Sequence, residues 1–313
     1  MYAVVIDDGE LRWRERPGPE PADHDIVVGV HGAGVNGADI SQRAGAYPAP
    51  PGWPQDVPGL EMAGEVYATG ARVTRFQVGD RVMALVGGGA QAELALADEA
   101  HALAVPAGLS WAEAGGFMEA YATAYDALFG QAGVTLGDRV LVTGAAGGVG
   151  TAAVQLAAAA GATVTASVRD AALRETVAAL GAACVIVPDD VAAAGPFDVV
   201  LELVGAASLP SALAALALRG RVVVIGVGGG ASVEVDLLRL MARRARISAS
   251  TLRARPAGEK AVLVATLGDK VVPALAAGRL KVPVVATYPF AEAAAAYARF
   301  TAGGKGGKIV LTG

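Results

Sequence analysis

The chain has 313 residues, a formal net charge of −5 and a hydrophobic fraction of 54%, with only 18% charged residues. This balance excludes an intrinsically disordered chain, and the acidic excess argues against a generic nucleic-acid surface or adhesion to anionic lipid. The single cysteine, Cys184, excludes an internal disulfide framework and any multi-cysteine metal site. The length predicts about two domains.

The amino terminus reaches Asp7 and Asp8 before any long apolar run and has no basic segment, so it does not resemble a signal peptide. The longest uncharged stretch lies between Arg139 and Arg169. It is interrupted by the glycines of 144–150 and is rich in alanine, so we interpret it as strand, turn and helix and not as a membrane span. We therefore expect a cytoplasmic protein with no membrane partner.

Short β-rich runs separated by Gly, Pro and Asp fill the first third of the chain, which predicts an antiparallel, barrel-like domain. Ser110 and Glu113 form a capping-box pattern, so a helical segment is predicted from there to about Phe129. The predicted strands are 26–30, 64–67, 80–85 and 92–96.

From Arg139 onward, apolar strand-like runs alternate with helix-like runs, which predicts a six-stranded, doubly wound parallel sheet covered on both faces. The predicted strands are 140–142, 163–166, 184–186, 199–203, 222–225 and 247–250, and the predicted helices are 151–160, 172–180, 209–216 and 237–244. After Arg255 the pattern is helical except for one closing strand, 308–311, which we expect to return to the first domain. The predicted boundaries are 1–118, 119–254 and 255–313, the last segment belonging to the first domain.

A glycine-rich turn ends the first strand of this second region and opens a helix. Without Cβ atoms, such a turn lets backbone N–H groups and the helix amino terminus approach a pyrophosphate. We therefore predict a dinucleotide site, the alternative being a tight turn with no ligand. The residues predicted to contact the cofactor here are Gly144, Ala146, Gly147, Gly148, Val149 and Gly150.

The tip of the second strand favours NADP(H) over NAD. NAD-specific sites place an acid about 20 residues past the glycines, whereas this chain has the neutral Ser167, followed by Arg169. A guanidinium matches a 2′-phosphate in charge and geometry. Asp170 is the counter-argument, because it can bind a ribose hydroxyl or cap the next helix, and Arg169 can also be an ordinary solvated arginine.

Several segments, taken in order, resemble the zinc-independent quinone oxidoreductase branch of the medium-chain dehydrogenase/reductases. They are 34–39, 45–52, 58–66, 123–128, 144–150, 180–182 and 307–311, while 87–92 and 250–255 are similar to the stress-inducible NADPH:quinone oxidoreductases. The resemblance implies an α/β protein with a GroES-like β-barrel catalytic domain and a Rossmann domain. It also implies NADPH as the cofactor and a homodimer that forms through the edges of the Rossmann sheets.

Alcohol dehydrogenases of this superfamily hold zinc through a cysteine, the histidine of a Gly-His-Glu motif and a further acidic or cysteine ligand. Here Asn36 and Leu60 stand at the first two places, with Glu61 beside them, so neither thiolate nor imidazole is available. We expect no metal. The three histidines show no ligand spacing and are interpreted as loop or surface residues: His24, His31 and His101.

Hydride transfer from NADPH to a quinone asks less of the protein than alcohol oxidation, because the acceptor is electron-poor. Tyr47 is the predicted donor to the product oxyanion and can also stack on the acceptor, the alternative being an aromatic plug in a Pro-rich turn. Asn36 is predicted to bind substrate or ribose, or to cap the turn with Asp39. Cys184 is interpreted as a small buried apolar residue.

The resemblance also assigns cofactor contacts outside the glycine turn. It implies that Thr123 lies beside the nicotinamide, and that Lys308 either reaches a cofactor phosphate or ribose or is a surface lysine. The remaining implied contacts are Val204, Gly205, Gly226, Val227 and Leu252.

Two alternatives to the quinone reductase remain open. The first is an enone, 2-alkenal or enoyl reductase that uses the same hydride chemistry on a pocket of another shape. The second is a non-catalytic protein that binds NADPH or RNA, for which a local basic patch is available, although the net charge argues against a nucleic-acid partner. That patch comprises Arg239, Arg243, Arg244 and Arg246.

Overall fold

The computed structural model describes residues 1–313, which divide into two compact units: residues 1–122 with 252–313, and residues 123–251. The amino-terminal part of the first unit is mainly strand. Its strands are β1 (Tyr2–Asp7), β2 (Glu10–Glu15), β3 (Asp25–Val35), β4 (Glu61–Thr69), β5 (Arg81–Leu85), β6 (Leu94–Asp98) and β7 (Ala102–Ala104). Its helices are α1 (Gly37–Arg43), α2 (Trp111–Gly115) and the first part of α3 (Met118–Tyr125), whose last three residues belong to the second unit.

Strand β3 is the centre of this unit, because it pairs antiparallel with both β4 and β6. Its buried side chains, including Ile26, Val28 and Val30, pack with Met62 and Val82 in one apolar core. The antiparallel, barrel-like domain is therefore confirmed. The sequence analysis did not name three strands: β1, β2, whose residues are mostly charged, and β7, which has three residues and too little pattern to detect.

The second unit alternates strands and helices as the sequence predicts. Its strands are β8 (Arg139–Val142), β9 (Thr163–Ser167), β10 (Cys184–Ile186), β11 (Phe197–Glu202), β12 (Leu216–Val224) and β13 (Arg246–Ala249). Its main helices are α4 (Gly148–Ala159), α5 (Arg174–Ala178), α6 (Val191–Ala194), α7 (Leu209–Ala214) and α8 (Leu237–Arg243).

The six strands form one parallel sheet in the order β10-β9-β8-β11-β12-β13, which is the doubly wound dinucleotide-binding order. The buried residues Leu141, Val200 and Val222, on three neighbouring strands, pack in its core. The predicted α/β class and six-stranded Rossmann sheet are confirmed. One detail is wrong: Cys184 is exposed, because it begins a three-residue strand at the edge of the sheet.

The carboxyl-terminal segment completes the first unit with α9 (Ala257–Lys270), α10 (Val272–Ala276), β14 (Val284–Pro289), α11 (Ala293–Thr301) and β15 (Lys308–Thr312). Strand β15 pairs antiparallel with β3, which is the return predicted for the closing strand. The sequence analysis was wrong to expect a single strand here, because β14 pairs parallel with β15. Strand β14 alternates between half-buried and exposed residues, a weak signal within an alanine-rich helical region.

His101 also differs from expectation. It is only 3% exposed, and its Nε2 lies 2.9 Å from the Ala257 carbonyl oxygen, so its interpretation as a surface residue is wrong. His24 does lie at the surface, with its side chain 57% exposed. None of the helices is both long and apolar enough to cross a membrane.

Candidate functional site

In the second unit, the glycine turn joins β8 to α4 at the carboxyl edge of the sheet. Gly144 has a φ of +57°, a conformation that favours glycine, and Gly147 is the N-cap of α4. A Cβ on Gly150 would lie 2.6 Å from the Gly144 oxygen, so the helix can begin this close to the turn only with glycine there. No side chain caps α4, which leaves its first N–H groups available to an anion.

The other predicted cofactor residues of this unit follow neighbouring strands at the same edge. Ser167 ends β9, and its carbonyl accepts a hydrogen bond of 3.2 Å from the Ala145 N–H in the turn. Val204 and Gly205 follow β11, and Gly226 and Val227 follow β12. Since the carboxyl ends of parallel strands meet at one edge of a sheet, the structure brings these segments together.

Glu202 connects these segments, and the sequence analysis missed it. Its side chain is fully buried, and one oxygen, Oε1, accepts hydrogen bonds from Thr143 Oγ1 (2.8 Å), Ser208 Oγ (2.6 Å) and the N–H of Val204 (2.7 Å) and Gly205 (2.9 Å). The end of β8 is thereby tied to the loop after β11. An acid directly after the apolar run 199–201 was the available signal.

The three polar residues at the end of β9, Ser167, Arg169 and Asp170, have different surroundings. The Asp170 carboxylate accepts a hydrogen bond of 3.0 Å from the Ala172 N–H, so it caps the following turn, as one alternative predicted. Ser167 is buried, whereas Arg169 is exposed and its guanidinium makes no ion pair. The guanidinium of Arg169 is thus uncommitted, whereas one oxygen of the Asp170 carboxylate is used in the cap.

The first unit buries a cluster of charged and amide groups. The Lys308 ammonium donates to Glu61 Oε1 at 2.5 Å and to Asn36 Oδ1 at 2.7 Å, and the Asn36 amide nitrogen donates to the same Glu61 oxygen at 2.9 Å. Lys308 is 3% exposed and Glu61 0%. Lys308 is therefore not a surface lysine, and that alternative is wrong.

Asn36 also caps α1, because its N–H donates to Asp39 Oδ2 at 2.8 Å, as one alternative predicted. Asp39 is fully buried and accepts a second hydrogen bond of 3.1 Å from the Gly59 N–H. Burial raises the pKa of Asp39 to about 6, against the opposing effect of these hydrogen bonds and of Lys308. The acid is thus poised to titrate close to neutral pH.

Glu119 stands at the start of α3 and was missed by the sequence analysis. Its backbone N–H donates to Glu61 Oε2 at 2.9 Å, and its side chain is half-buried. Desolvation, followed by the nearby Glu61 carboxylate, raises the pKa of Glu119 to about 8. Its carboxyl group is therefore mostly protonated at pH 7. A lone acid in an alanine-rich helix was the only sequence signal.

Tyr47 lies on the loop after α1, and Arg253 holds this loop. The buried guanidinium of Arg253 donates to the carbonyl oxygens of Tyr47 (3.0 Å) and Gly87 (2.7 Å) and to Gln42 Oε1 (2.6 Å). Its Cζ also lies 5.4 Å from the centre of the Tyr47 ring. The sequence analysis includes Arg253 in the segment 250–255 but does not predict this role. The adjacent Leu252 is buried within the first unit.

Thr123 is buried on α3. The residues around Lys308 do not fit a zinc ion. Leu60 and Asn36 supply neither imidazole nor thiolate, and the Lys308 ammonium already holds the Glu61 carboxylate. The chain contains no group of three or more His, Cys, Asp or Glu side chains suited to a metal ion.

Comparison with known proteins agrees with this architecture. Residues 22–131 match the alcohol dehydrogenase GroES-like domain, and residues 148–266 match the family described as zinc-binding dehydrogenase. The chain is 32% identical to the quinone oxidoreductase of Lama guanicoe over 306 residues, which cover 94% of this chain and 90% of the relative.

Two solved structures extend the comparison over the whole chain. A quinone oxidoreductase from Pseudomonas syringae pv. Tomato DC3000 is 30% identical with a TM-score of 0.88, and each chain is covered to 100%. A mycobacterial protein solved in complex with NADPH is 27% identical with a TM-score of 0.87, again over 100% of both chains. The chain is thus an oxidoreductase that belongs to the quinone oxidoreductase family of the medium-chain dehydrogenase/reductase superfamily.

Proposed function

We propose that the protein transfers hydride from NADPH to quinones without a metal ion. The observation that carries this proposal is the buried contact of Lys308 with Asn36 and Glu61, at the place where zinc relatives have metal ligands. In the zinc-dependent relatives a Lewis acid stabilises the alkoxide during alcohol oxidation, and this donor set lacks the ligands for such an ion. A quinone is already electron-poor and needs no such ion.

Two features of the second unit and one comparison support NADPH as the cofactor. The uncapped start of α4 offers backbone N–H groups to a pyrophosphate. Arg169 offers a free guanidinium to a 2′-phosphate, while Asp170 is engaged in capping. The similar mycobacterial protein was solved with NADPH. A fluorescence titration with NADPH and NADH tests this assignment, which fails if the two bind equally tightly.

NADPH, when bound, supplies a hydride equivalent. The protein must then place a hydrogen-bond donor against the oxygen on which negative charge develops. We propose the Tyr47 hydroxyl for this role, because Arg253 anchors the backbone of its loop. Asn36 has its amide engaged with Lys308 and Glu61, so we propose that it positions these two groups.

The Tyr47 assignment has its own test. Tyr47→Phe removes only the hydroxyl, so we expect turnover to fall while the dissociation constant of NADPH is unchanged. Steady-state kinetics with a quinone and a parallel fluorescence titration measure the two quantities. If turnover is unchanged, Tyr47 is an aromatic plug.

The reaction class is tested by the rate of NADPH oxidation with a panel of quinones and a panel of enones and 2-alkenals. We expect quinones to be reduced with the higher kcat/KM. Preference for the enones would assign the second reductase class, which differs in pocket shape and not in hydride chemistry. If no acceptor exceeds the rate without protein, both assignments fail.

We also propose a homodimer formed through β13, because this edge strand is exposed along its whole length. Large apolar side chains of this region are exposed: Ile247 on β13 is 40% exposed, and on α8 Leu238 is 77% and Met241 71% exposed. An unpaired strand edge and exposed apolar groups together favour a partner. Light scattering after size exclusion should give twice the chain mass, and Ile247→Pro should give the monomer.

A further inference from the structure

A half-open pocket of about 580 Å³ lies in the second unit, where β12 and β13 begin to pair. Because all six strands are parallel, the pocket lies at the amino-terminal ends of the strands, whereas the glycine turn lies at their carboxyl-terminal ends. Six of the lining residues are charged: Asp138, Asp198, Arg219, Arg221, Arg244 and Arg246. A volume of this size is in the range of small-molecule sites.

The carboxylates of the pocket are already neutralised. Asp198 accepts two hydrogen bonds, of 2.9 and 3.0 Å, from the Arg139 guanidinium, which lowers the pKa of Asp198. Asp138 is paired with Arg221 at 2.9 Å. Within one chain, three arginines of the pocket then remain without an ion pair, although the net charge of the chain is −5. These three are Arg219, Arg244 and Arg246.

The four arginines of the pocket occupy positions that are unfavourable for the stability of the fold. Arg221 and Arg246 are direct partners in adjacent strands, so two cations are placed side by side. Only three non-glycine residues of the chain have a positive φ, and two of them are Arg219 (63°) and Arg244 (49°). Arg244 is the C-cap of α8, where glycine is the usual residue. Left-handed backbone at residues other than glycine is enriched at ligand sites.

We propose that this pocket binds a small phosphorylated ligand with several negative charges, of the di- or triphosphate class. Guanidinium groups donate paired hydrogen bonds that match phosphate oxygens, and a ligand with several charges relieves the repulsion among the arginines. The site is separate from the glycine turn, because the two lie at opposite ends of the parallel strands. The proposal does not depend on the proposed reaction. Arg246 is, however, the first residue of β13, through which we propose the dimer, so light scattering must show that Arg219→Gly and Arg246→Ser keep the oligomeric state of the wild type.

Calorimetric titration with inorganic tripolyphosphate tests the site. The protein is first saturated with NADPH, so that the glycine turn is filled, and is measured at physiological salt. We expect one tripolyphosphate per chain, with affinity reduced about tenfold or more in Arg219→Gly and in Arg246→Ser. Arg279→Ser, which removes an exposed arginine of the other unit, is the matched control and should bind normally.

Equal affinity in all four proteins, or an equal loss in the control, would mean general ionic attraction and would overturn the site. Without NADPH, tripolyphosphate can also enter the glycine turn. Even so, the pocket variants should lose the same tripolyphosphate-binding site whether or not NADPH is present. A failure of NADPH to bind is therefore distinguishable from a failure of this proposal.

Thermal unfolding adds a test that distinguishes a specific site from general ionic attraction. Because Arg219 and Arg244 occupy left-handed backbone, Arg219→Gly and Arg244→Gly should raise the Tm of the ligand-free protein. The same variants should lose most of the Tm increase caused by tripolyphosphate. Variants that keep the full increase would contradict the proposal. So would a single-stranded RNA that displaces tripolyphosphate with a steeper salt dependence, because the ligand would then be a nucleic-acid backbone.

Discussion

In the second unit, the turn between β8 and α4 offers a ligand backbone N–H groups and the end of a helix, with no ionised side chain in residues 144–150. In the first unit, the candidate site consists of ionisable side chains removed wholly or partly from water, namely Asp39, Glu61, Glu119 and Lys308. The first kind of site depends on the absence of side-chain atoms. The second depends on charges that compensate one another, so the two should fail in different ways.

The largest effect is expected from removing one charge of the buried cluster. Lys308→Met leaves Glu61 as a buried carboxylate without its cation, which should lower the free energy of unfolding by about 3–5 kcal/mol. Urea unfolding measures this loss. Lys270→Met, at an exposed lysine of α9, is the control and should change stability by less than about 0.5 kcal/mol.

The double variant Lys308→Met with Glu61→Gln sharpens this prediction. With both charges gone, much of the lost stability should return, because the unpaired carboxylate is what destabilises the single variant. If the double variant is as unstable as the sum of the two single variants, Lys308 contributes by packing and not by its charge.

The glycine turn should respond to a single methyl group. Gly150→Ala places a Cβ 2.6 Å from backbone atoms of Gly144 and Ala145, so the turn must move. We expect a loss of about 1–3 kcal/mol in stability and a clear weakening of NADPH binding. Gly258→Ala is the matched control, because a Cβ on this helical glycine of α9 meets nothing within 4 Å. Normal NADPH binding by Gly150→Ala would contradict a backbone site.

The contrast between the two units explains what the sequence could reveal. The glycine turn and the parallel strands are local patterns, so six strands were located within a few residues. The boundary of β12 was the exception, because Arg219 and Gly220 interrupt its apolar run. The charged cluster has no local pattern: Asn36 and Lys308 meet although 272 residues separate them.

Single residues show the same limit. Glu119 and Glu202 were not predicted, because an acid becomes significant only when the fold buries it beside particular partners. Cys184 was predicted to be buried from its residue type, but the sheet order places it at an edge. Lys308 was predicted either to reach a cofactor phosphate or ribose or to be a surface lysine; its burial beside Glu61 removes only the second alternative.

Arg169 is the one side chain on which cofactor choice should depend in a site otherwise built from backbone. Arg169→Ala should weaken NADPH about tenfold, which is the value of one charge-assisted hydrogen bond, and should leave NADH nearly unchanged. Fluorescence titrations with both cofactors measure the difference. Arg72→Ala, at an exposed arginine of the first unit, serves as the control. Equal losses for NADPH and NADH would remove the 2′-phosphate assignment.

The smallest effect concerns pH, and it should belong to the charged cluster alone. The folded protein raises the pKa of Glu119 from 4.5 to about 8, so between these values the native state holds a proton that the unfolded chain releases. Stability from this group is therefore present at low pH and lost as pH rises through the folded pKa. Glu119→Gln cannot titrate, so the stability of the wild type should fall relative to this variant between about pH 5 and 9. Partial exposure limits the difference to about 1 kcal/mol.

Urea unfolding of both proteins at pH 5, 7 and 9 measures this relative change. Asp39, whose pKa is raised to about 6 by burial, is present in both proteins, so the effect of its own burial is common to the two profiles, and its interaction with Glu119 is part of the measured difference. The difference between the profiles is then due to Glu119, whose proton is favoured by desolvation and by the charge of Glu61. Parallel profiles would mean that the Glu119 carboxyl is as well solvated in the folded protein as in the unfolded chain. The charged cluster would then consist of Lys308, Glu61 and Asp39 only.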